Sequence, residues 1–461
     1  MQRTLLAAAA VAALSASVPA HAADDPEIAR LRAEFQAQLD ALRNNYEDRL
    51  KALEDKLAAT SGKADSAMAA AEQAGQAGQA SGGQAAFNPE ISLILQGKYA
   101  ARQDGDRRPT GFLQDADIEP AERGFSLGES ELIMSADIDP YFRGLANFVV
   151  GDGEVDVEEA WFQTLGLGHG LTLKGGRFIS GIGYQNEQHP HAWDFADNNL
   201  MYQVLFGEHY VQDGLQLKWL APTDTFLELG MEAGRGASFP GSGDGGDRNG
   251  AGAWALYGHV GGDVGDSSSW RAGLSWLGAR PKNRDSVLLD ANAVDAETAF
   301  SGTSRTWIAD FVWKWAPDGN PHERNFKLQA EYFRRTETGQ LACADNLADG
   351  GACDGSTGAY RGRQSGWYAQ GIYQFMPSWR VGLRYDRLSN DSLDYGANAG
   401  MLPEPGYSPY KWSLMADYMP SEFSLLRLQF ARNHAAEDDP DNREITLQYV
   451  YSLGPHGAHK F

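Results

Sequence analysis

Two histidines flank a proline at His189-Pro190-His191, with Glu187 just before them and Trp193-Asp194 just after. Imidazole nitrogens and carboxylate oxygens at this spacing are the ligand types of a borderline divalent metal such as zinc. The same residues can equally make a rigid loop whose histidines hydrogen-bond locally, because the motif does not hold a complete ligand set. A second pair, His456 and His459, has H-x-x-H spacing, and two ligands do not close a zinc site. Cys343 and Cys353 are the two cysteines; in an oxidising compartment they are expected to form a disulfide that staples a loop. Gly124-Phe125-Ser126-Leu127-Gly128 matches G-x-S-x-G. That motif needs a strand-to-helix elbow, whereas this one runs into an alternating apolar stretch, so a lipase-like enzyme is the weaker alternative. The chain is therefore expected to be no enzyme, with no catalytic residue and no cofactor beyond zinc at the histidines.

The elements that would position these residues are strands. Near the end, Ile445, Leu447, Tyr449, Tyr451 and Leu453 are apolar or aromatic at every second position, with Thr446, Gln448 and Ser452 between them. That is the period of a strand with one oily face and one wet face. The odd-numbered face ends on Phe461, and a chain closing on such a strand resembles bacterial outer-membrane β-barrels, a resemblance that implies an assembly signal at Tyr449, Tyr451 and Phe461. Similar alternation begins at Ile91, Leu93, Leu95 and Tyr99. It recurs over 132–138, 142–150, 215–219, 227–233, 270–276, 307–315, 326–332, 379–385, 410–418 and 426–430.

The connections alternate in length. Short ones carry proline at Asp139-Pro140, Ala221-Pro222, Ala316-Pro317, Met376-Pro377 and Met419-Pro420. Long polar ones cover 102–122, 185–208, 237–251, 280–304, 338–364, 389–409 and 434–443. Short turns at one end and long loops at the other predict a transmembrane antiparallel β-barrel of about 16 strands over 87–461. A net charge of −23 argues against nucleic acid as a partner. The 53 glycines, 12 tryptophans and 18 tyrosines suit tight turns and aromatic girdles at the membrane surfaces.

Before the barrel, residues 1–22 read as a signal peptide, with Arg3, an apolar stretch from Leu5 to Leu14, and Ala20-His21-Ala22 for cleavage. Residues 24–58 repeat apolar positions every eleven residues from Ile28 to Leu57, the pattern of an α-helical coiled coil with a nearly straight seam. Residues 59–86 are an Ala/Gly/Gln/Ser linker.

Parity places Lys98, Arg143, Lys174, Lys218, Glu228, Glu232, Asp310, Glu331, Arg380, Arg384, Asp386 and Arg427 on the inward face. There charged rings would sort solutes at close range. The connection holding Glu187, His189, His191, Trp193 and Asp194 leaves the long-loop end and is expected to fold inward as the pore constriction. Acidic loops with Asp115, Asp117, Glu119 and Glu122, and with Glu437, Asp438, Asp439 and Asp441, would gather cations or bridge to lipopolysaccharide.

Over roughly 87–461 the chain resembles the phosphate-selective-porin-like outer-membrane channels, nearest to coiled-coil-bearing siderophore-porin and zinc-regulated outer-membrane members. The resemblance rests on Phe87–Tyr99 (FNPEISLILQGKY), on Phe178–Phe195 (FISGIGYQNEQHPHAWDF) and on Ser452–Phe461 (SLGPHGAHKF). It implies a homotrimeric, passive, solute-selective pore in the outer membrane of a Gram-negative bacterium, with the N-terminal helix in the periplasm. Small hydrophilic solutes, metal ions or metal chelates among them, would be the cargo. Phosphate channels of this group line the lumen with arginines; here inward acids are mixed with the arginines, so anion selectivity is the alternative expectation.

Overall fold

In the computed structural model of the chain, described here over residues 89–103, 108–116, 123–151, 154–437 and 442–454 together with Lys51, strands dominate. The expected signal peptide, the coiled coil apart from Lys51, the linker and the pair His456 and His459 lie outside the described residues, as does Phe461. Among those described, no helix is long and apolar enough to cross a membrane.

The strands follow in chain order. The first six are β1 (Glu90–Arg102), β2 (Gly124–Ser126), β3 (Ser130–Asp139), β4 (Phe142–Gly151), β5 (Glu154–Thr164) and β6 (Leu171–Ile179). Next come β7 (Val211–Leu220), β8 (Phe226–Gly234), β9 (Ala253–Val264), β10 (Ser268–Ala279), β11 (Arg284–Leu289) and β12 (Asp295–Trp315). The last six are β13 (Asn325–Cys343), β14 (Thr357–Met376), β15 (Trp379–Asp394), β16 (Tyr410–Ser421), β17 (Ser424–His434) and β18 (Asn442–Leu453).

All pair antiparallel with their chain neighbours, except that β2 and β11 are short additions lying on β1 and β12. The other sixteen close on themselves, because β1 pairs with β18 from Leu93 opposite Leu453 to Arg102 opposite Glu444. Closure gives each of these sixteen strands a partner on both sides. The Tyr449 ring lies over Gly97 across this seam, where a side chain at 97 would collide with it.

Alternation sets the two faces. Leu215, Leu217 and Trp219 on β7, Leu426, Leu428 and Phe430 on β17, and Ile445, Leu447, Tyr449 and Tyr451 on β18 are exposed on the outside. Gln216, Arg427, Gln429 and Gln448 between them are buried within.

The expected long connections at 280–304 and 338–364 are largely strand, which corrects that reading. β12 and β13 stay paired up to Thr298 opposite Cys343, and β14 continues the wall from Thr357. Outward positions there are Asp295, Glu297, Ser301, Thr303 and Arg305. With water outside, the apolar half of the alternation disappears while the backbone ladder goes on. Cys343 and Cys353 are bonded in this raised rim and pack with Leu288, Phe300, Leu341, Tyr360, Tyr395 and Leu402.

Candidate functional site: the loop that crosses the lumen

Residues 180–210, between β6 and β7, fold into the barrel. The turn inward is made at Gly183, whose φ of +67° belongs to the left-handed region and whose absent side chain leaves room for the Tyr202 hydroxyl. Two single-turn 3-10 segments follow, Gln185–Glu187 and Pro190–Ala192, and then helix α1 (Leu200–Phe206). Asn199 caps α1 by accepting from the Tyr202 N–H at 3.2 Å, and Gly207 ends it in the left-handed conformation. Leu200, Met201, Tyr202, Val204, Leu205 and Phe206 are all buried against Tyr257, Ile308, Phe333, Tyr368 and Leu388, an apolar patch on the inner wall.

Polar anchors hold the rest of the loop. Glu331 on β13 accepts from the backbone N–H groups of Tyr184 (2.9 Å) and Gln185 (2.7 Å) and from the Tyr202 hydroxyl (2.8 Å). Glu232 on β8 accepts from Ser180 Oγ at 2.6 Å and the Gly181 N–H at 2.9 Å. Glu187 meets Arg271 of β10 at 3.1 Å. Trp193 donates its indole N–H to the Gln188 carbonyl at 2.9 Å, fixing the middle of the loop.

Two aspartates bind the loop to one wall. Asp194 pairs with Lys327 and with Arg380 at 3.1 Å. Asp197 pairs with Arg384 at 2.9 Å and Lys411 at 2.6 Å. Burial alone would raise the Asp194 carboxyl; Lys327 and Arg380 outweigh it and bring it down to about 2. Asp197 is likewise held well below the usual carboxylate range, burial being outweighed by Lys411 and Arg384.

The histidines face the opposite wall. His189 Nδ1 lies 3.1 Å from Glu158 and 3.6 Å from Glu131, and its Nε2 lies 3.4 Å from Glu159. His191 Nδ1 lies 2.6 Å from Glu131, its ring stacked on that of His189 at 5.6 Å. His209, where the loop returns, sets Nε2 3.3 Å from Glu158. Burial would lower His189, but the Glu158, Glu159 and Glu131 carboxylates outweigh it and hold the imidazole well above its ordinary range. The loop therefore touches β3 and β5 on one side and β13, β15 and β16 on the other, spanning the lumen.

Inward charges named from parity are mostly engaged with one another. Arg380 and Arg427 share Asp417, at 2.7 and 2.8 Å. Arg384 also meets Asp386 at 3.2 Å, and Lys218 meets Glu228 at 3.1 Å. Asp310 is buried beside Glu331, its register partner. Arg143 reaches Glu90 at 3.0 Å toward the short-turn end, and Lys174 sits over the Trp161 ring at 4.3 Å. Lys98 is half-buried on β1. Glu187 and Asp194, expected beside the histidines, bind cations elsewhere on the wall instead.

No family model matches the chain. A protein of Aquifex aeolicus (strain VF5), described as an uncharacterized protein, is 30% identical over 401 residues, which span 82% of this chain and 81% of that one. The chain belongs to the family of that Aquifex protein. Similar solved structures include OprB of Pseudomonas putida (14% identity, TM-score 0.49, 79% of this chain and 94% of that one). The outer-membrane channel DcaP of Acinetobacter baumannii is another (13%, TM-score 0.46, 80% and 99%). So is an anion-selective porin from Comamonas acidovorans (8%, TM-score 0.46, 79% and 99%).

Among the residues that sequence reasoning missed are Glu131, Asn147, Glu158 and Glu159 on the strands facing the histidines, Arg271, Lys327, Lys411 and Asp417 on the other strands, and Asp197 and His209 on the loop. A bulge explains Glu158 and Glu159. Asn147 lies opposite Glu159 while Phe148 lies opposite Val157, so Glu158 is the extra residue. Both glutamates thereby reach His189. The signal was present as two adjacent acids breaking the alternation of Val155-Asp156-Val157-Glu158-Glu159.

Proposed function

We propose that the protein is an outer-membrane porin, a passive channel for small hydrophilic solutes, with its long loops outside the cell and its short turns in the periplasm. The observation carrying this reading is the closed sixteen-strand barrel, apolar outside and polar within, crossed by an inward loop. An exposed apolar belt of this extent would be unstable in water and is matched by lipid. Lipopolysaccharide would contact the raised polar rim.

Solute preference is set by the loop 180–210 and by the lumen charges. The inner arginines and lysines at 380, 384, 411 and 427 all face acids, which favours mixed or cationic solutes over phosphate-type anions. Metal ions and metal chelates are the cargo we assign, supported by the imidazole and carboxylate cluster opening toward the loop. Self-association into a homotrimer completes the reading.

Planar-bilayer recordings test it. Stepwise conductance with a reversal potential of cation preference in asymmetric salt is expected. A reconstituted, folded protein that conducts no ions would end the channel reading, and strong anion preference would end the assignment of metal cargo. Mass in detergent decides the trimer.

A further inference from the structure

Glu131 on β3, Glu158 on β5 and His189 on the loop each bring a ligand atom within 4.8 Å of the other two. His189 Nδ1 stands 3.1 Å from Glu158 Oε2 and 3.6 Å from Glu131 Oε2. Donor atoms on a tetrahedral zinc, with bonds of roughly 2.0–2.2 Å, lie roughly 3.3–3.6 Å from one another. The spacing is therefore close to that of a ligand set before any rearrangement.

The surroundings complete the pattern. Glu159 Oε2 lies 3.4 Å from the other nitrogen of His189. Such a carboxylate accepts a hydrogen bond from Nε2–H and fixes the tautomer, so that a metal displacing the Nδ1 proton meets the Nδ1 lone pair. Asn147, fully buried, donates from Nδ2 to both Glu131 Oε2 (3.0 Å) and Glu158 Oε2 (2.5 Å), orienting the two carboxylates. His191 at 2.6 Å steadies the other oxygen of Glu131. Glu158 Oε1 is buried with His209 Nε2 3.3 Å off. Only His189 of the three has an appreciably exposed side chain, at 24%, against 0% and 6% for the glutamates. Access is therefore from the loop side.

We infer that Glu131, Glu158 and His189 form a binding site for a resident borderline divalent cation of the zinc type, which ties the lumen-crossing loop to the β3–β5 wall. One imidazole and two carboxylates suit such an ion better than magnesium or calcium, which favour all-oxygen shells. Three protein ligands leave a fourth position for water or a passing solute. The ion clamps one end of the loop, and the ion pairs of Asp194 and Asp197 clamp the other. This goes beyond passage of metal through the channel, since the bound ion here is part of the wall.

The test uses the full chain in detergent, stripped with chelator and titrated with ZnCl2 by calorimetry and with CoCl2 by visible absorption. One saturable site per chain is expected, with the intense cobalt bands of a four-coordinate ion. His189→Ala and Glu158→Gln should weaken binding at least about tenfold and abolish those bands. His456→Ala/His459→Ala should bind as the parent does. No saturable binding, or unchanged binding in the first two variants, overturns the site; so does loss of binding confined to the tail variant. Should Glu158→Gln not fold, as judged by β-sheet circular dichroism, His189→Gln at the partly exposed loop position decides alone. Conductance is read separately, so a conducting barrel without zinc binding ends this inference and leaves the channel standing, while zinc binding without conductance does the reverse.

Discussion

The Tyr202 hydroxyl donates to Glu331 Oε2 at 2.8 Å, joining the helix inside the barrel to the wall that surrounds it. Burial and then the neighbouring carboxylate hold the Tyr202 phenol well above its ordinary range, so it remains the donor. Glu331 also satisfies the N–H groups of Tyr184 and Gln185. In Glu331→Ala all three donors lose their acceptor, at about 1–3 kcal/mol for each one left buried and unmet. The expected outcome is a lower thermal midpoint and noisier, larger conductance, with Glu331→Gln milder. Heat-modified mobility on gels and bilayer traces check both.

The aspartate clamp should respond to acid. The Asp194 carboxyl lies at about 2, below the ordinary 3.8. A depressed value means that the folded state gains stability above the ordinary range and loses it as pH falls through about 2. The loop is therefore expected to stay held from neutral pH down to about 4 and to loosen progressively below that. Asp194→Asn/Asp197→Asn should show at pH 7 the altered conductance that the parent shows only in strong acid. A pH series of single-channel recordings checks this, and a variant indistinguishable from the parent at pH 7 would refute it.

Gly183→Ala should fold poorly. Its left-handed backbone costs a side-chain-bearing residue about 1–2 kcal/mol, and the added carbon would overlap the Tyr202 hydroxyl. Refolding yield into detergent, compared with a Gly243→Ala control where a side chain meets open space, measures the effect.

The Cys343–Cys353 bridge closes a short loop on the raised rim. Replacing both with serine is expected to cost about 2–3 kcal/mol of local order. Proteinase K should then cut within 344–356 while the barrel keeps its heat-modified mobility. Equal protection of the parent and the variant would show that the buried packing of Leu341 and Tyr360 suffices.

Much of the wall was legible because a strand in a barrel shows its two environments on alternate residues. Ile445, Leu447, Tyr449 and Tyr451 announce an outer face, and Gln448 an inner one, without knowledge of any partner strand. The same rule failed on the rim, where Glu297, Ser301 and Thr303 face water and no oily half remains to be counted. Over 154–164 it assigned no facing, and there the residue inserted at Glu158 shifts the parity within β5.

Strand identity, approximate strand number and the long connection that holds His189-Pro190-His191 follow from local period and residue type, which depend only on near neighbours in the chain. Which residues meet those histidines does not. Glu131 is 58 positions from His189 and Glu158 is 31, and only closure of the barrel together with the bulge on β5 brings them to one imidazole. Register and bulges arise from pairing between distant segments, so the tertiary structure alone decided that Glu131, Glu158 and Glu159, rather than Glu187 and Asp194, surround it.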